Sequence, residues 1–433
     1  MSVLEAPFIM ALSEMLKNTY SQILNCELVT AMGCTEPISI AYCASYAGNL
    51  LGKKPERCVV HCSGNIIKNV KSVVVPQTGG LKGIEAAAAA GIVALAPELQ
   101  LEVLTALTED KRKELRQLLD LGIIDVRPLD SGHALHIIVE LFAQGDSVSV
   151  EVVDGHTNIG KVVKNGSVLH ENKLEAQNSS EIDYSLLTVE GILKYADSVD
   201  LEDVREVLER QISYNSAISR EGLEHVYGAG IGPTLMESAG NSLREQCKAA
   251  AAAGSDARMN GCSLPVVINS GSGNQGLTVS LPIIVWAKNM GCSHEELLRA
   301  LCVSNLIAVR QKTKIGRLSA FCGATSAAVG AVCGIAYLDK AEASVISQTI
   351  INSLATIGGM VCDGAKSSCA GKIASAIDCA FTGYEAAKKH RGYLNGEGLV
   401  KAGVEETIDS VARMAARGMH GTDLEILDIM LDK

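Results

Sequence analysis

Residues 135–166 read LHIIVELFAQGDSVSVEVVDGHTNIGKVVKNG. Apolar and polar side chains alternate along this stretch, the two-residue period of strands with one buried face. Gly145-Asp146 and Asn165-Gly166 interrupt the alternation, so the segment predicts a β-meander. Upstream, CVVHCSG (58–64) and VKSVVVPQ (70–77) are β-branched runs bounded by Gly, Asn and Pro, and predict strands or strand ends around a polar turn. Helical signals surround these runs. Leu4, Met10, Leu12, Met15 and Leu16 recur loosely at helical period, and Pro37 followed by ISIAYCASYAGNLLG predicts a helix from near Pro37 to Gly52. Two more helices are expected at Gly83 to Leu95 and at the charged stretch Thr108 to Leu119. From about Ser185 to Leu431 strand signals nearly vanish, and Ala/Leu/Ile-rich periodic segments broken by Gly follow one another. The fold class is therefore α+β, with a predominantly helical C-terminal domain and an N-terminal mixed α/β portion containing a small antiparallel sheet. The longest polar stretch, ENKLEAQNSSEID (171–183), puts the boundary near 180, giving units 1–180 and 181–433.

A chain of 433 residues has room for two or three domains or one with a large core. Lys and Arg number 38 against 49 Asp and Glu, and no basic run stands out, which argues against a nucleic-acid partner. The 47% hydrophobic content lies far from that of disordered chains. Only 3% of residues are aromatic, while Ala86 to Ala90 and Ala249 to Ala253 are unbroken alanine runs, so helices with short side chains should pack closely. No apolar run reaches the ~20 residues of a membrane helix, and the N-terminus lacks the basic and apolar regions of a signal peptide. The expectation is a cytoplasmic protein with no membrane contact, able to form a homo-oligomer. In a reducing compartment its fourteen cysteines serve metal binding, catalysis or simple burial.

Cys322 lies in FCGATSAAVGAVCG, and Cys362 and Cys369 lie in GGMVCDGAKSSCAGKIA. No CxxC hook is present, so zinc-knuckle and ferredoxin patterns do not fit. Adjacent glycines would let an inorganic group approach, and the same spacing also suits three thiols buried in a small-residue core. Cys34, in AMGCTEPISI, falls at or just before a helix N-terminus, where the macrodipole lowers a thiol pKa; the alternative is that Thr35 or Glu36 merely caps the helix. The loop INSGSGNQGLTVSLP (268–282) offers amides and small polar side chains, with Ser270, Ser272 and Asn274 as candidates to hold a carboxylate. SGNIIKNVKSVVVPQTGGLKG (63–83) adds Asn65, Lys68, Asn69 and Lys82, with Asn65 and Asn69 taken as substrate-binding; RQKTKIGRLSAFCG (310–323) adds the cations Arg310, Lys312, Lys314 and Arg317. His133 and His136 fall in an apparent strand, where a spacing of three puts them on opposite faces. HExxH, GxSxG, SxxK and P-loop patterns are missing.

Five motifs in order, GCTEP (33–37), SGNIIKNV (63–70), GSGNQG (271–276), KIGRLSAFCGA (314–324) and MVCDGAKSSCAGKIA (360–374), together resemble the L-cysteine desulfidase family, which is related to the iron-sulfur bacterial L-serine dehydratases. The resemblance runs over nearly the whole chain. It implies a 4Fe-4S cluster held by Cys322, Cys362 and Cys369, with a fourth iron open as a Lewis acid, and Cys34 as the base that removes the α-proton. The implied reaction is α,β-elimination of L-cysteine to sulfide, pyruvate and ammonia without pyridoxal phosphate. Some serine dehydratase relatives carry a C-terminal cysteine that can occupy the open iron. Here the last cysteine is Cys379, so such self-capping is not expected. L-serine dehydratase activity is the alternative within this chemistry. From another class, a non-catalytic iron-sulfur or zinc sensor stands as a third reading, with Cys333 as a fourth zinc ligand.

Overall fold

The structure, a computed structural model, describes residues 12–172, 182–316 and 318–431. Leu4 and Met10 of the first expected helix, most of the boundary stretch near 180, and Arg317 lie outside these residues.

The N-terminal portion begins with helix α1 (Glu14–Glu27), strand β1 (Thr30–Met32) and helix α2 (Thr35–Leu51), which ends on Gly52 in the left-handed conformation. Strand β2 (Arg57–Ser63) follows, then α3 (Gly64–Val70), α4 (Gly83–Ala94), a 3₁₀ stretch at Pro97–Ala106 and α5 (Glu109–Asp120), whose N-terminus is capped by the Thr108 hydroxyl. Strands β3 (Ile124–Leu129), β4 (His136–Ala143), β5 (Asp146–Val153), β6 (Ile159–Lys164) and β7 (Ser167–Glu171) complete a six-stranded sheet in the order β3-β2-β4-β5-β6-β7. Only β2 and β3 run parallel; the others form the meander that the alternation announces. Its inner face is built from cross-strand pairs such as Ile137 with Val152, Val139 with Val150 and Leu141 with Val148. The β4–β5 reversal is made by Gln144-Gly145 and the β6–β7 reversal by Asn165-Gly166, all at positive φ as two-residue hairpins with strand-matched twist require. Helix α2 lies on β4 and β5 with one side and on α4 with the other. Helix α4 is thus buried on nearly all sides, as its alanine run permits.

Two expectations fail here. The run VKSVVVPQ forms no strand. Ile66, Ile67 and Val70 instead place one face of the short helix α3 in the core, and Val73 and Val75 are buried from a loop whose ladder is a single bridge between Val74 and Lys82. Pro76 removes a donor the strand would need, and its ring rests on Gly33, where a Cβ would come within 2.2 Å of it. His133 and His136 do not face apart either. His133 sits in the turn before β4, so strand alternation does not govern it, and the two rings meet edge to face at 5.5 Å.

The rest of the chain is helical apart from one short strand. Its elements are α6 (Val189–Ser198), α7 (Arg205–Glu224), α8 (Ile231–Ala239), α9 (Leu243–Met259), β8 (Pro265–Val267), α10 (Gly273–Met290), α11 (His294–Lys312), α12 (Gly323–Leu338), α13 (Ala343–Ile357), α14 (Cys369–Ala387), α15 (Val404–Arg413) and α16 (His420–Met430). Helix α1 packs into this helical core, whereas α2 to α5 and the six-stranded sheet enclose a second one. The two cores are tied by β1 and β8, which pair antiparallel over three residues. Asn215 of α7 closes the outer edge of β8: its Oδ1 accepts from Val267 N at 2.9 Å, and its Nδ2 reaches Gly276 O at 3.1 Å in the first turn of α10. Among the described residues no single helix is long and apolar enough to cross a membrane.

Glycine sets the helix spacing at the closest crossings. A Cβ on Gly91 of α4 would stand 2.0 Å from Ala41 O of α2, a backbone clash that no rotamer change relieves. Gly91→Ala should therefore lower stability by about 3 kcal/mol, read as a fall in the urea midpoint. Gly421→Ala in α16, where a Cβ meets nothing within 4 Å, should leave stability unchanged or raise it by up to about 1 kcal/mol.

Candidate functional site

The β1–β8 pairing brings the start of α2 against the loop that precedes α10. Thr35 Oγ1 donates to Gly271 O at 3.2 Å across 236 positions of sequence, and Arg258, in the last turn of α9, donates from Nε to Gly33 O at 2.9 Å. Two further helix starts close the site. Cys322 is the N-cap of α12, and Cys369 is the first residue of α14. The segments before them are joined backbone to backbone, Cys322 N to Met360 O at 2.9 Å and Cys362 N to Ala320 O at 2.7 Å. Lys366 and Lys372 both pair with Asp363, and Lys372 Nζ also donates to Val361 O at 2.8 Å, which pins the turn between Cys362 and Cys369.

The result is a cavity of about 100 Å³. It is lined by Cys34 and Glu36 of the α2 start, Asn69 of α3, Arg258 of α9, and Ser272, Asn274 and Gln275 of the α10 start. The lining also includes Lys312 of α11, Cys322, Cys362 and Cys369, the last packed against the cluster that contains Cys34. Four helix N-termini thus face one space, and none of the four has its N–H groups taken by an N-cap side chain, whereas Ser13, Thr108, Thr188, Ser242 and Ser293 cap helices elsewhere. Uncapped helix starts with aligned dipoles suit anions: thiolates, a carboxylate, a sulfide-rich inorganic group.

Of the residues singled out from sequence, Cys34, Asn69, Ser272, Asn274 and the three cysteines line the cavity. Two candidates do not. Asn65 faces a neighbouring cavity of about 260 Å³, which shares only Leu318 and Ser319 with the first. Ser270 is buried in its loop and donates to Asn269 Oδ1 at 2.8 Å. Cys333 is buried in the middle of α12, away from the lining. Arg310 and Lys314 are taken up by Asp409, with Glu405 also on Arg310, and Lys68 by Asp423.

Cys34 occupies the helix-start position expected of it, but its thiol is not acidified. Burial pushes its pKa well above the ordinary value and Glu36 pushes it further, outweighing Arg258. The Cys34 Sγ–H donates to Glu36 Oε2 at 3.1 Å, Thr35 Oγ1 donates to the same oxygen at 3.1 Å, and Asn69 Nδ2 donates to Oε1 at 2.9 Å. Burial by itself would raise Glu36. His156, the Cys34 thiol, the backbone and Arg258 outweigh it and hold the carboxyl below its usual range. Elsewhere in the lining, a hydrogen bond from Cys322 holds the Cys362 thiol down to about 6, with Lys68, the Gly364 amide and Lys372 assisting against burial. Cys322, the donor, is raised. Burial pushes Lys312 down to about 8, against the pull of Cys362 and Cys322.

Among the described residues no three His, Cys, Asp or Glu side chains are placed to hold one metal ion. That disfavours a mononuclear zinc site. The donor set itself, three thiols lining one cavity, is of the chemistry that holds iron-sulfur groups. Glu36, Arg258 and Gln275 were not singled out from sequence. Arg258 has a local signal: SDAR interrupts the alanine run of α9 with charges that must find a use inside the core.

Residues 98–428 match the family described as serine dehydratase alpha chain. The match defines the class, a serine-dehydratase-like protein of lyase type with a small amino acid as its kind of substrate. The chain belongs to the serine dehydratase alpha chain family. It is similar along nearly its whole length to proteins named UPF0597 protein. The one from Lachnoclostridium phytofermentans is 51% identical, with 95% of this chain and 98% of that protein covered. The one from Desulfitobacterium hafniense is 49% identical (96% and 97% covered), and the one from Treponema denticola 42% (98% and 100%).

The thiols of the pocket should differ in reactivity. After removal of any metal by chelation, Cys362 should alkylate with iodoacetamide faster at pH 7 than Cys34 or Cys322, because the hydrogen bond from Cys322 holds its thiol below the ordinary value. Cys34 and Cys322, both raised, should label slowly throughout pH 6–8.5. Time-resolved peptide mapping by mass spectrometry reads all three.

Proposed function

We propose that this protein is an iron-sulfur-dependent L-cysteine desulfidase, converting L-cysteine and water to pyruvate, ammonia and sulfide in the cytoplasm, where fourteen thiols stay reduced. The observation that carries the reading is that Cys34 lines the same small cavity as Cys322, Cys362 and Cys369. The three thiols would hold a 4Fe-4S cluster, which when bound supplies Lewis acidity for the departing β-substituent. Residues 1–180 and 181–433 are read as two units that both contribute to this cavity.

The work of the protein's own side chains then follows from their contacts. A buried thiol with a raised pKa is a poor base unless its proton has somewhere to go. Glu36 Oε2 already accepts that proton in a hydrogen bond, and Asn69 and Thr35 hold the carboxylate in place. Glu36 orients the Cys34 sulfur through this hydrogen bond; once the thiol proton has been released to solvent the thiolate, a strong base because its pKa is raised, takes the proton from the substrate α-carbon, and the β-substituent leaves. Aminoacrylate forms, and its imine tautomer hydrolyses to pyruvate and ammonia. The family match favours a second reading, L-serine as the substrate of the same elimination. Thiolate is the better leaving group and the better iron ligand, which supports cysteine.

Anaerobically purified protein should form pyruvate from both amino acids with kcat/KM higher for L-cysteine. Preference for L-serine would make it a dehydratase, and no pyruvate from either would overturn the elimination. Cys322→Ser, Cys362→Ser and Cys369→Ser should each abolish or bleach the visible absorption of the cluster, and Cys333→Ser should not. Cys34→Ala should keep that absorption and lose activity by about 10²–10⁴-fold, the usual worth of a positioned base. Near-normal turnover in Cys34→Ala would assign the base elsewhere.

A further inference from the structure

Arg258 is 3% exposed, and its two hydrogen bonds go to neutral oxygens: Nε to Gly33 O at 2.9 Å and Nη1 to Asn274 Oδ1 at 3.1 Å. Among the described residues no carboxylate lies within ion-pair distance of it. Glu36 feels its charge without pairing with it. A guanidinium carries five N–H groups, so three are left by these bonds on a residue that lines the cavity. A buried cation with no counter-ion is costly, and the cost falls when an anion enters. Lys312 is the other buried cation of the lining, and Arg258 is the one whose planar fork of donors matches a carboxylate.

Two residues of the same lining each carry an orphaned acceptor. Asn69 is 7% exposed; because its Nδ2 donates to Glu36, the orientation of its amide is fixed, and Oδ1 is buried with no partner. Gln275 is 4% exposed, and its Oε1 is likewise buried without a partner. Its amide is seated against Gly323, where a Cβ would come within 2.4 Å of Cδ, so Gly323 keeps open the place the amide occupies. Carbonyl oxygens bare of donors in a buried cavity suit a ligand that is only a donor, and a primary ammonium is such a group.

We propose that Arg258 receives the α-carboxylate of the substrate and that the side-chain carbonyls of Asn69 and Gln275 receive its α-ammonium, so that the cavity selects the zwitterion of an α-amino acid. This rests on the amino-acid lyase reading given above. Asn274 holds the guanidinium, which makes it a positioning residue for Arg258 rather than a carboxylate ligand of its own. Asn69 has two roles, since the same amide steadies Glu36 beneath Cys34. With carboxylate and ammonium both held, rotation of the α-carbon is restricted and its C–H can be presented to one side of the cavity, as stereospecific removal of that proton requires.

Isothermal titration of the anaerobically purified full-length protein tests this with three probes that cannot react: L-alanine, which carries both charges; propionate, which lacks the ammonium; and ethylamine, which lacks the carboxylate. Wild type should bind L-alanine at least tenfold more tightly than either single-charge probe. Arg258→Met should weaken L-alanine and propionate alike by more than tenfold. Arg258→Lys, which keeps the buried charge should the methionine variant fail to fold, should still cost several-fold because the paired donors are lost. Gln275→Met should weaken L-alanine at least several-fold while leaving propionate unchanged. The proposal is overturned if wild type does not bind L-alanine, if propionate binds as tightly as L-alanine, if both Arg258 variants stay within twofold of wild type, or if Gln275→Met weakens both probes equally. Protein that shows the expected binding pattern but forms no pyruvate from L-cysteine or L-serine would keep the receptor assignment and remove the elimination reading.

Discussion

Four helices, α2, α10, α12 and α14, start at the same small cavity, and none has an N-cap side chain bonded to its first turn. Each start carries a partial positive charge of about half an electron and backbone donors that need acceptors. Held apart from water, such a convergence is tolerable only around negative charge. The thiol of Cys362, held down to about 6, and the low carboxyl of Glu36 are what the protein itself supplies. The buried Arg258 and Lys312 add to the same imbalance. Packing and loop pinning keep this positively biased space small.

How Cys34 can be useful follows from that balance. A free helix start ordinarily acidifies a thiol, and here burial reverses the outcome, because the charged form would lose more solvation than the dipole returns. The carboxylate two residues on changes the question from how acidic the thiol is to where its proton rests. GCTEP places donor and acceptor on the same first turn, and Asn69 and Thr35 keep the acceptor fixed.

Much of the architecture is legible in the sequence, for identifiable reasons. The meander follows from strict alternation between turn residues, and α2 from Pro37 at its start and Gly52 at its end. The helical C-terminal part follows from the loss of strand signals beyond Ser185. What escapes is decided by partners far away in sequence. Residues 71–77 have strand-like side chains and form a loop with a single bridge, Val74 to Lys82, because Pro76 lacks a donor and Val73 and Val75 are buried without a partner strand. The parallel strand β3 depends on β2, more than sixty positions earlier, and IDVRPL alone shows little of it. In the site, the cysteines and Asn274 could be picked out as types, but the use of Arg258, Glu36 and Gln275 depends on which atoms are left without partners once the chain has folded. Asn65 and Ser270 were misplaced for the same reason: a loop motif names the residues and not the direction in which each one turns.

The three-residue ladder between β1 and β8 has a consequence for how the protein comes into being. Its two strands are separated by most of the first half of the chain and more, and the cavity they align also needs α12 and α14. During synthesis Cys34 emerges early and Cys369 late, and closing so long a loop is entropically costly until the packing that rewards it is available. The cavity is therefore among the last parts of the molecule to exist. A ligand that touches residues of both halves can be held only after the segment through Cys369 has been made.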